Sequence, residues 1–217
     1  MKIINCLQGT TEWLSARAGI PTASNFAKIV TPKTCKPSTS AEGYMHRLLA
    51  ERMLGRPLVQ EAVTSWMSRG TELEGDAVAY YESLHDVDTV RVGFMLNDAG
   101  TIGASPDRLV GDVGLLEVKC HSEEKHVGFL LHGNADDEHR PQVQGQLWIS
   151  ERRWADLLCF HPELPSVIVR VERDEKFIAA LAEHVTAFVA QLAEATRKAR
   201  AAGWIKDSHD PQTGEIA

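Results

Sequence analysis

Apolar residues recur along this chain with two periods, and the alternation between them predicts the order of elements. Thr10 to Ala18 and Ser24 to Val30 read as short helices, the second with Ser24 as its N-cap. Thr31 to Ser40, rich in Pro, Thr, Ser and Lys without apolar periodicity, reads as a mobile loop. Ala41 to Leu54 carries Tyr44, Leu48 and Met45, Leu49, Arg52 at helical spacing and stops at Gly55 and Pro57. Trp66 to Leu84 is a second long helix, its stripe made of Trp66, Leu73, Ala77, Tyr80 and Leu84 and widened by Met67, Val78 and Tyr81. Glu74 falls inside that stripe, so a carboxylate is expected to face inward.

The period then shortens to two. Asp88 to Leu96, Thr101 to Ser105, Asp107 to Val110 and Gly114 to Cys120 suit strands, with Gly111 to Gly114 turning the last pair into a hairpin. Ser122 to Leu131 and Arg140 to Ser150 return to helix, Trp154 to Phe160 and Ser166 to Glu172 to strand. Asp174 to Ala201 closes the series as a long helix with Phe177, Leu181, His184, Phe188, Leu192 and Ala195 in register. This order implies a mixed α/β (α+β) fold, a central mixed β-sheet flanked by helices, in one domain over residues 1–205 with a polar tail at 206–217.

Composition narrows the class. The 217 residues are 43% hydrophobic and 24% charged, which excludes collagen-like, fibrous and disordered chains. No run of 18 or more apolar residues occurs, and residues 1–8 lack the apolar stretch of a signal peptide, so a cytoplasmic protein without a membrane partner is expected. Cys6, Cys35, Cys120 and Cys159 are scattered, which points to reduced, mostly buried thiols and away from zinc ribbons and clustered iron–sulfur ligands. His121, His126, His132 and His139 lack zinc spacing and read as surface or loop residues. A net charge of −7 argues against phosphate binding until its distribution is considered. Residues 1–60 hold eight bases against three acids, so the acidity lies wholly in the remainder.

The stretch from Ser105 to Cys120 carries the chemistry. In an extended strand Glu117 and Lys119 share one face, roughly 6.6 Å apart along the backbone, while Leu116, Val118 and Cys120 occupy the other. A hairpin whose paired numbers sum to 224 sets Asp107 across from Glu117, with Cβ atoms roughly 5 Å apart. Two carboxylates that close repel unless a cation sits between them, and a hard divalent ion is the natural partner. The neighbouring Lys119 could then orient or deprotonate a water for attack at phosphorus. An exposed Glu-x-Lys ion pair is the commoner explanation of such a dipeptide, but an otherwise apolar strand implies a covered sheet in which charges need a reason.

Pro106-Asp107, nine residues, then Glu117-Val118-Lys119 resembles the PD-(D/E)xK motif of restriction-endonuclease-like nucleases. More specifically, the chain is similar to the lambda exonuclease or YqaJ viral recombinase family over about residues 11–195. The likeness rests on Trp13 with Arg17 to Ser24, Gly70-Thr71-Glu72-Leu73-Glu74, the Ser105 to Cys120 block, Gln142-Val143-Gln144 with Leu147-Trp148, and Val171 to Phe177. Two positions depart from the family pattern: Arg108 replaces a frequent Gly, and His121 a frequent Pro.

The resemblance implies a restriction-endonuclease-like core and a Mg²⁺-dependent (or Mn²⁺-dependent) 5′→3′ exonuclease that degrades one strand of linear double-stranded DNA. Asp107 and Glu117 would be metal ligands, joined by the Val118 or Leu116 carbonyl, with Lys119 as base or water-positioning residue. Glu74 would be a further catalytic acid, Gln142 would orient Lys119 or a water, and Arg17 and Ser24 would bind a DNA phosphate at the 5′ end. Gln142 and Gln144 lie too close along one helix to face the same site, so one of them is expected to be structural. A homotrimeric ring, DNA ends and a single-strand annealing protein would be the partners, and 3′ overhangs for phage-type recombination in a bacterial cell the product. A structure-specific or single-strand endonuclease and a non-catalytic DNA-end-binding module are the alternatives.

Overall fold

The structure, a computed structural model, describes residues 1–58, 65–132 and 135–205, with the side chains of 65–72, 132 and 135–137 outside the description. The polar tail, and the side chains of Trp66 and Met67 in the expected helical stripe, therefore lie outside the described residues.

Six α-helices and eight strands form among these residues: β1 (Lys2–Ile4), α1 (Thr11–Arg17), α2 (Ala41–Leu54), α3 (Ser65–His85), β2 (Thr89–Val90), β3 (Phe94–Leu96), β4 (Gly103–Ala104), β5 (Arg108–Val110), β6 (Gly114–Lys119), α4 (Glu123–His132), α5 (Ala135–Ser150), β7 (Trp154–Cys159), β8 (Val167–Glu172) and α6 (Glu175–Ala201). A 3₁₀-helix, Ala23–Lys28, follows α1. Local chemistry sets several ends. Thr10 caps α1 by accepting from the Trp13 N–H, and Asp174 caps α6 by accepting from the Phe177 N–H. Gly55 ends α2 in the left-handed conformation.

The mixed α/β architecture is as expected, but the strands divide into two sheets. A five-stranded sheet has the order β2-β5-β6-β7-β8, and a three-stranded antiparallel sheet the order β1-β3-β4. Among the described strands β6 and β7 are the pair that runs parallel, the connection between them passing through α4 and α5. The single strand expected over Asp88 to Leu96 breaks at Arg91-Val92-Gly93, and its halves join different sheets. Gly93 permits the break, because a Cβ there would lie 2.4 Å from the Cys6 carbonyl oxygen.

Each face of the five-stranded sheet is covered. Leu116, Leu158 and Val110 pack under Ala77, Val78 and Tyr81 of α3. On the opposite face Leu115 and Ala155 meet Val143 and Leu147 of α5. The largest cluster joins α2, α6, the 3₁₀-helix and β3 through Phe26, Tyr44, Leu48, Met95, Leu181 and Phe188. Gly145 brings α5 against the 3₁₀-helix, since a Cβ would sit 2.5 Å from the Phe26 ring.

A buried carboxylate ties α3 to the sheet. Asp156 accepts from the Tyr81 hydroxyl at 2.6 Å and from the Arg170 guanidinium at 2.5 and 2.9 Å, while Arg170 lies flat on Trp154. Burial and the adjoining carboxylate hold the Tyr81 hydroxyl far above the usual phenol range.

Several expectations need correction. Ser24 is not an N-cap: Thr22 holds that position without a side-chain bond, and the element is a 3₁₀ turn. Tyr80 and Leu84 are exposed, because α3 turns Ala77, Val78 and Tyr81 inward instead. The segment from Thr31 to Ser40 is pinned by bonds from the Thr31 N–H to the Lys36 carbonyl and the Ser38 N–H to the Ile29 carbonyl. The helix expected from Arg140 begins at Ala135 and runs through Pro141. None of the four cysteines forms a disulfide, and two of them are buried and two half-buried.

The histidines depart furthest from a surface assignment. His126 is 0% exposed, its Nε2 2.8 Å from the Pro165 carbonyl oxygen. His121 stacks on Phe129 and on His139, with ring planes within 3° and 11°. The His132 side chain is outside the described residues. Burial, reinforced by Lys125 and Lys119 for His121 and by Lys119 for His139, pulls both imidazoles down to about 4.

Two predictions follow from these contacts. Tyr81→Phe removes one donor from Asp156 and should cost about 1–3 kcal/mol in chemical denaturation. The stacked histidines make the fold acid-sensitive. Both stay neutral in the folded chain while unfolded imidazoles, titrating near ~6.5, take up protons. Stability should therefore be complete above that value and decline as pH falls toward about 4. Tm measured across that range should drop, and His139→Gln should flatten the slope.

Candidate active site

The hairpin of β5 and β6 builds the centre of the site. Arg108 pairs with Leu116, Leu109 with Leu115 and Val110 with Gly114, so paired numbers sum to 224. Asp107 immediately precedes that ladder, on the side where the sequence expectation set it across from Glu117. Asp107 Oδ2 accepts the Val118 N–H at 2.7 Å, which turns the aspartate onto the same strand as the glutamate. Glu117 is 3% exposed, on the sheet face that α5 covers. Lys119 shares that face, and its Nζ donates to Glu117 Oε1 at 2.6 Å.

Helix α5 supplies amides above the glutamate. Gln142 donates to Glu117 Oε1 and accepts from Lys119 Nζ at 3.3 Å, so it sits beside the cluster as expected. Gln144 is the structural member of the pair: its Nε2 donates to the Glu172 carbonyl and its Oε1 accepts the Asp174 N–H. Gln146 was missed. It donates to Glu117 Oε2 at 2.6 Å, and its separation of four residues from Gln142 on a helix was the signal available.

On the α3 side, Glu74 Oε1 accepts from Arg108 Nη1 at 2.9 Å, and the same guanidinium nitrogen donates to the Asp107 carbonyl oxygen. Arg108, where the family pattern often has glycine, is thus a buried tether between the third acid and the aspartate backbone. Glu74, Arg108 and Asp107 line a cavity of about 480 Å³ together with Asn5, Gln8 and Arg91.

The electrostatics follow from burial. Asp107 is held well above the usual carboxylate range, first by burial and then by the charge of Glu117, against which the Val118 N–H pulls down. Burial lowers Lys119, but Glu117 and Asp107 outweigh it, and the ammonium ends above its ordinary value. Among the described residues no group of three or more His, Cys, Asp or Glu side chains could hold a metal by itself. A crowded pair of hard carboxylates beside an open cavity nevertheless fits Mg²⁺, which takes one or two protein carboxylates and completes its shell with water and phosphate oxygens. Asp107 and Glu117 are the residues that would hold it, with the Val118 or Leu116 carbonyl adjacent.

Arg17 and Ser24 also come together. Arg17 Nη2 reaches Ser24 Oγ at 3.2 Å and Thr22 Oγ1 at 3.4 Å, and its guanidinium lies 3.8 Å from the Trp13 ring centroid. Burial draws Arg17 down to about 10, so it remains charged at neutral pH. Trp13 Nε1 donates to Ser105 Oγ at 3.0 Å, and Gln8 donates to the Pro106 carbonyl at 2.9 Å. The basic segment is thereby fastened to the two residues that precede Asp107. Lys28 and Arg47, two of the eight bases of residues 1–60, line the same cavity as Arg17.

A family model described as the YqaJ-like viral recombinase domain matches residues 12–153. Among solved structures, an alkaline exonuclease (LHK-Exo) from Laribacter hongkongensis is 33% identical, with a TM-score of 0.81 covering 89% of this chain and 98% of that one. LHK-Exo in complex with dAMP is 34% identical over the same shares and with the same TM-score. A phage related exonuclease from Haemophilus somnus 129PT, 15% identical with a TM-score of 0.62 over 82% of this chain and 96% of that one, shares the fold. No curated protein matches. With two thirds of its length matched by the family model, and with the fold of the alkaline exonuclease, the chain belongs to the YqaJ-like viral recombinase family.

Proposed function

We propose that this protein is a Mg²⁺-dependent deoxyribonuclease, with Mn²⁺ able to substitute, that digests one strand of linear duplex DNA from its 5′ end and leaves 3′ overhangs. The observation that carries this reading is the convergence of Asp107, Glu117 and Lys119 on one covered strand pair. Two further facts support it. The alkaline exonuclease LHK-Exo is a relative that has been seen with dAMP, a deoxynucleoside monophosphate. The Arg17 guanidinium, bonded to Ser24 and linked through Trp13 to Ser105, offers a cation on the same connected framework as Asp107.

Asp107, Glu117 and the Val118 carbonyl would hold the metal. When bound, Mg²⁺ supplies Lewis-acid polarisation of the scissile phosphate and lowers the pKa of a coordinated water. Glu117 is kept in one orientation by Lys119, Gln142 and Gln146, so its charge is presented without reorganisation. Lys119, a half-buried cation between Glu117 and Gln142, orients the attacking water and offsets charge developing on phosphorus. Glu74, held by Arg108, adds a third acid on the cavity wall. Arg17 and Ser24 bind the terminal 5′-phosphate.

The working unit is residues 1–205 assembled as a homotrimeric ring, with an acidic exterior and the basic N-terminal segment turned to DNA. It acts in the bacterial cytoplasm with a single-strand annealing protein that receives the overhang in phage-type recombination.

Asp107→Ala, Glu117→Ala and Lys119→Ala should each lower Mg²⁺-dependent digestion of end-labelled linear duplex by at least roughly 100-fold. Full cleavage by all three folded variants would refute the proposal. Arg17→Ala should slow digestion of 5′-phosphorylated ends by roughly 10-fold or more while affecting 5′-hydroxyl ends little. Covalently closed circles should resist the wild-type protein, and cutting them at the linear rate would point to an endonuclease.

A further inference from the structure

Two glutamines two residues apart on α5 are used in opposite ways. Gln144 satisfies both ends of its amide on backbone groups at the β8–α6 junction, donating to the Glu172 carbonyl and accepting the Asp174 N–H. Gln146 is equally deep, 1% exposed, yet it makes a single bond, from Nε2 to Glu117 Oε2 at 2.6 Å. Its Oε1 is buried without a hydrogen-bond partner. A glutamine kept for the fold would satisfy both ends, because an unmade bond in the interior weakens the folded state. The side chain at position 146 is accounted for by the one bond it makes.

That bond completes the fixing of Glu117. Lys119 and Gln142 both engage Oε1, and neither is on Oε2. Without Gln146 the carboxylate is gripped at one oxygen and can swing about it. With Gln146 both oxygens are tied, and the plane of the group is set against Asp107, whose own Oδ2 is tied to the Val118 N–H. Partners behind a ligand orient it and set metal affinity, typically by about 10–100-fold when removed.

We propose that Gln146 is a positioning residue that sets the Mg²⁺ affinity of the Asp107–Glu117 pair by locking Glu117 Oε2, an inference that rests on the metal-dependent nuclease reading above. The residue touches neither substrate nor metal in this role; it acts through Glu117.

The test is calorimetric titration of the full chain with Mg²⁺ in the absence of DNA, comparing wild type with Gln146→Met and Gln144→Met. Methionine keeps the unbranched shape and removes the donor. Gln146→Met should weaken Mg²⁺ binding by roughly 10–100-fold. The Mg²⁺ concentration for half-maximal cleavage should rise in step. Gln144→Met should lower Tm and leave Mg²⁺ binding unaltered. Should Gln146→Met fail to fold, Gln146→Asn withdraws the amide by one methylene and should weaken binding in the same direction. Wild-type Mg²⁺ affinity in a folded Gln146 variant, with or without a loss of Tm, overturns the inference and leaves the nuclease reading intact. A wild-type chain that neither binds Mg²⁺ nor cleaves DNA overturns the nuclease reading, and this inference with it.

Discussion

A carboxylate buried in the middle of a covered sheet is the constraint around which this protein is organised. Glu117 lies on β6, the central strand of the five-stranded sheet, and under helix α5. An isolated charge there would be strongly disfavoured, so the surroundings must supply an ammonium and two amides at hydrogen-bond distance. Those donors come from β6 itself and from a helix more than twenty residues later. The β5–β6 register, the parallel β6–β7 pairing and the seat of α5 on the sheet must all be correct for Glu117 to be tolerated.

The same constraint explains the second layer of contacts. Asp107 stands just outside β5, where a loop could let it drift, and four anchors prevent that. Its carboxylate takes the Val118 N–H, its carbonyl takes Arg108, the Pro106 carbonyl takes Gln8, and Ser105 takes Trp13. Trp13 in turn carries the Arg17 guanidinium on its ring. A cationic pocket and an acidic pair are thus parts of one connected structure, so a chain of net charge −7 still presents a local cationic surface. Arg108 strengthens the connection at a position where the family pattern often has glycine.

Much of this was legible from the residues. Turn residues at Gly111 to Gly114 located the hairpin, and a register whose paired numbers sum to 224, the one β5 and β6 adopt, is the one that would set Asp107 across from Glu117. Spacing along one strand put Lys119 beside Glu117, and the segment from Arg17 to Ser24 stood out by charge and by resemblance. These are short-range relations, in which residues a few positions apart on a regular element have only one way to face each other.

What the sequence by itself determined was therefore the element order, the mixed α/β class and the acidic pair with its lysine. Tertiary structure decided which face of α3 turns inward, that the strand after it splits between two sheets at Gly93, and that His126 is buried while His121 and His139 stack half-buried against each other. It also decided that Gln146, not Gln144, reaches Glu117. The physical reason is common to all four. Periodicity reports that a residue has an apolar or a polar side, whereas the partner that meets that side comes from a distant segment, and only the packing of whole elements selects it.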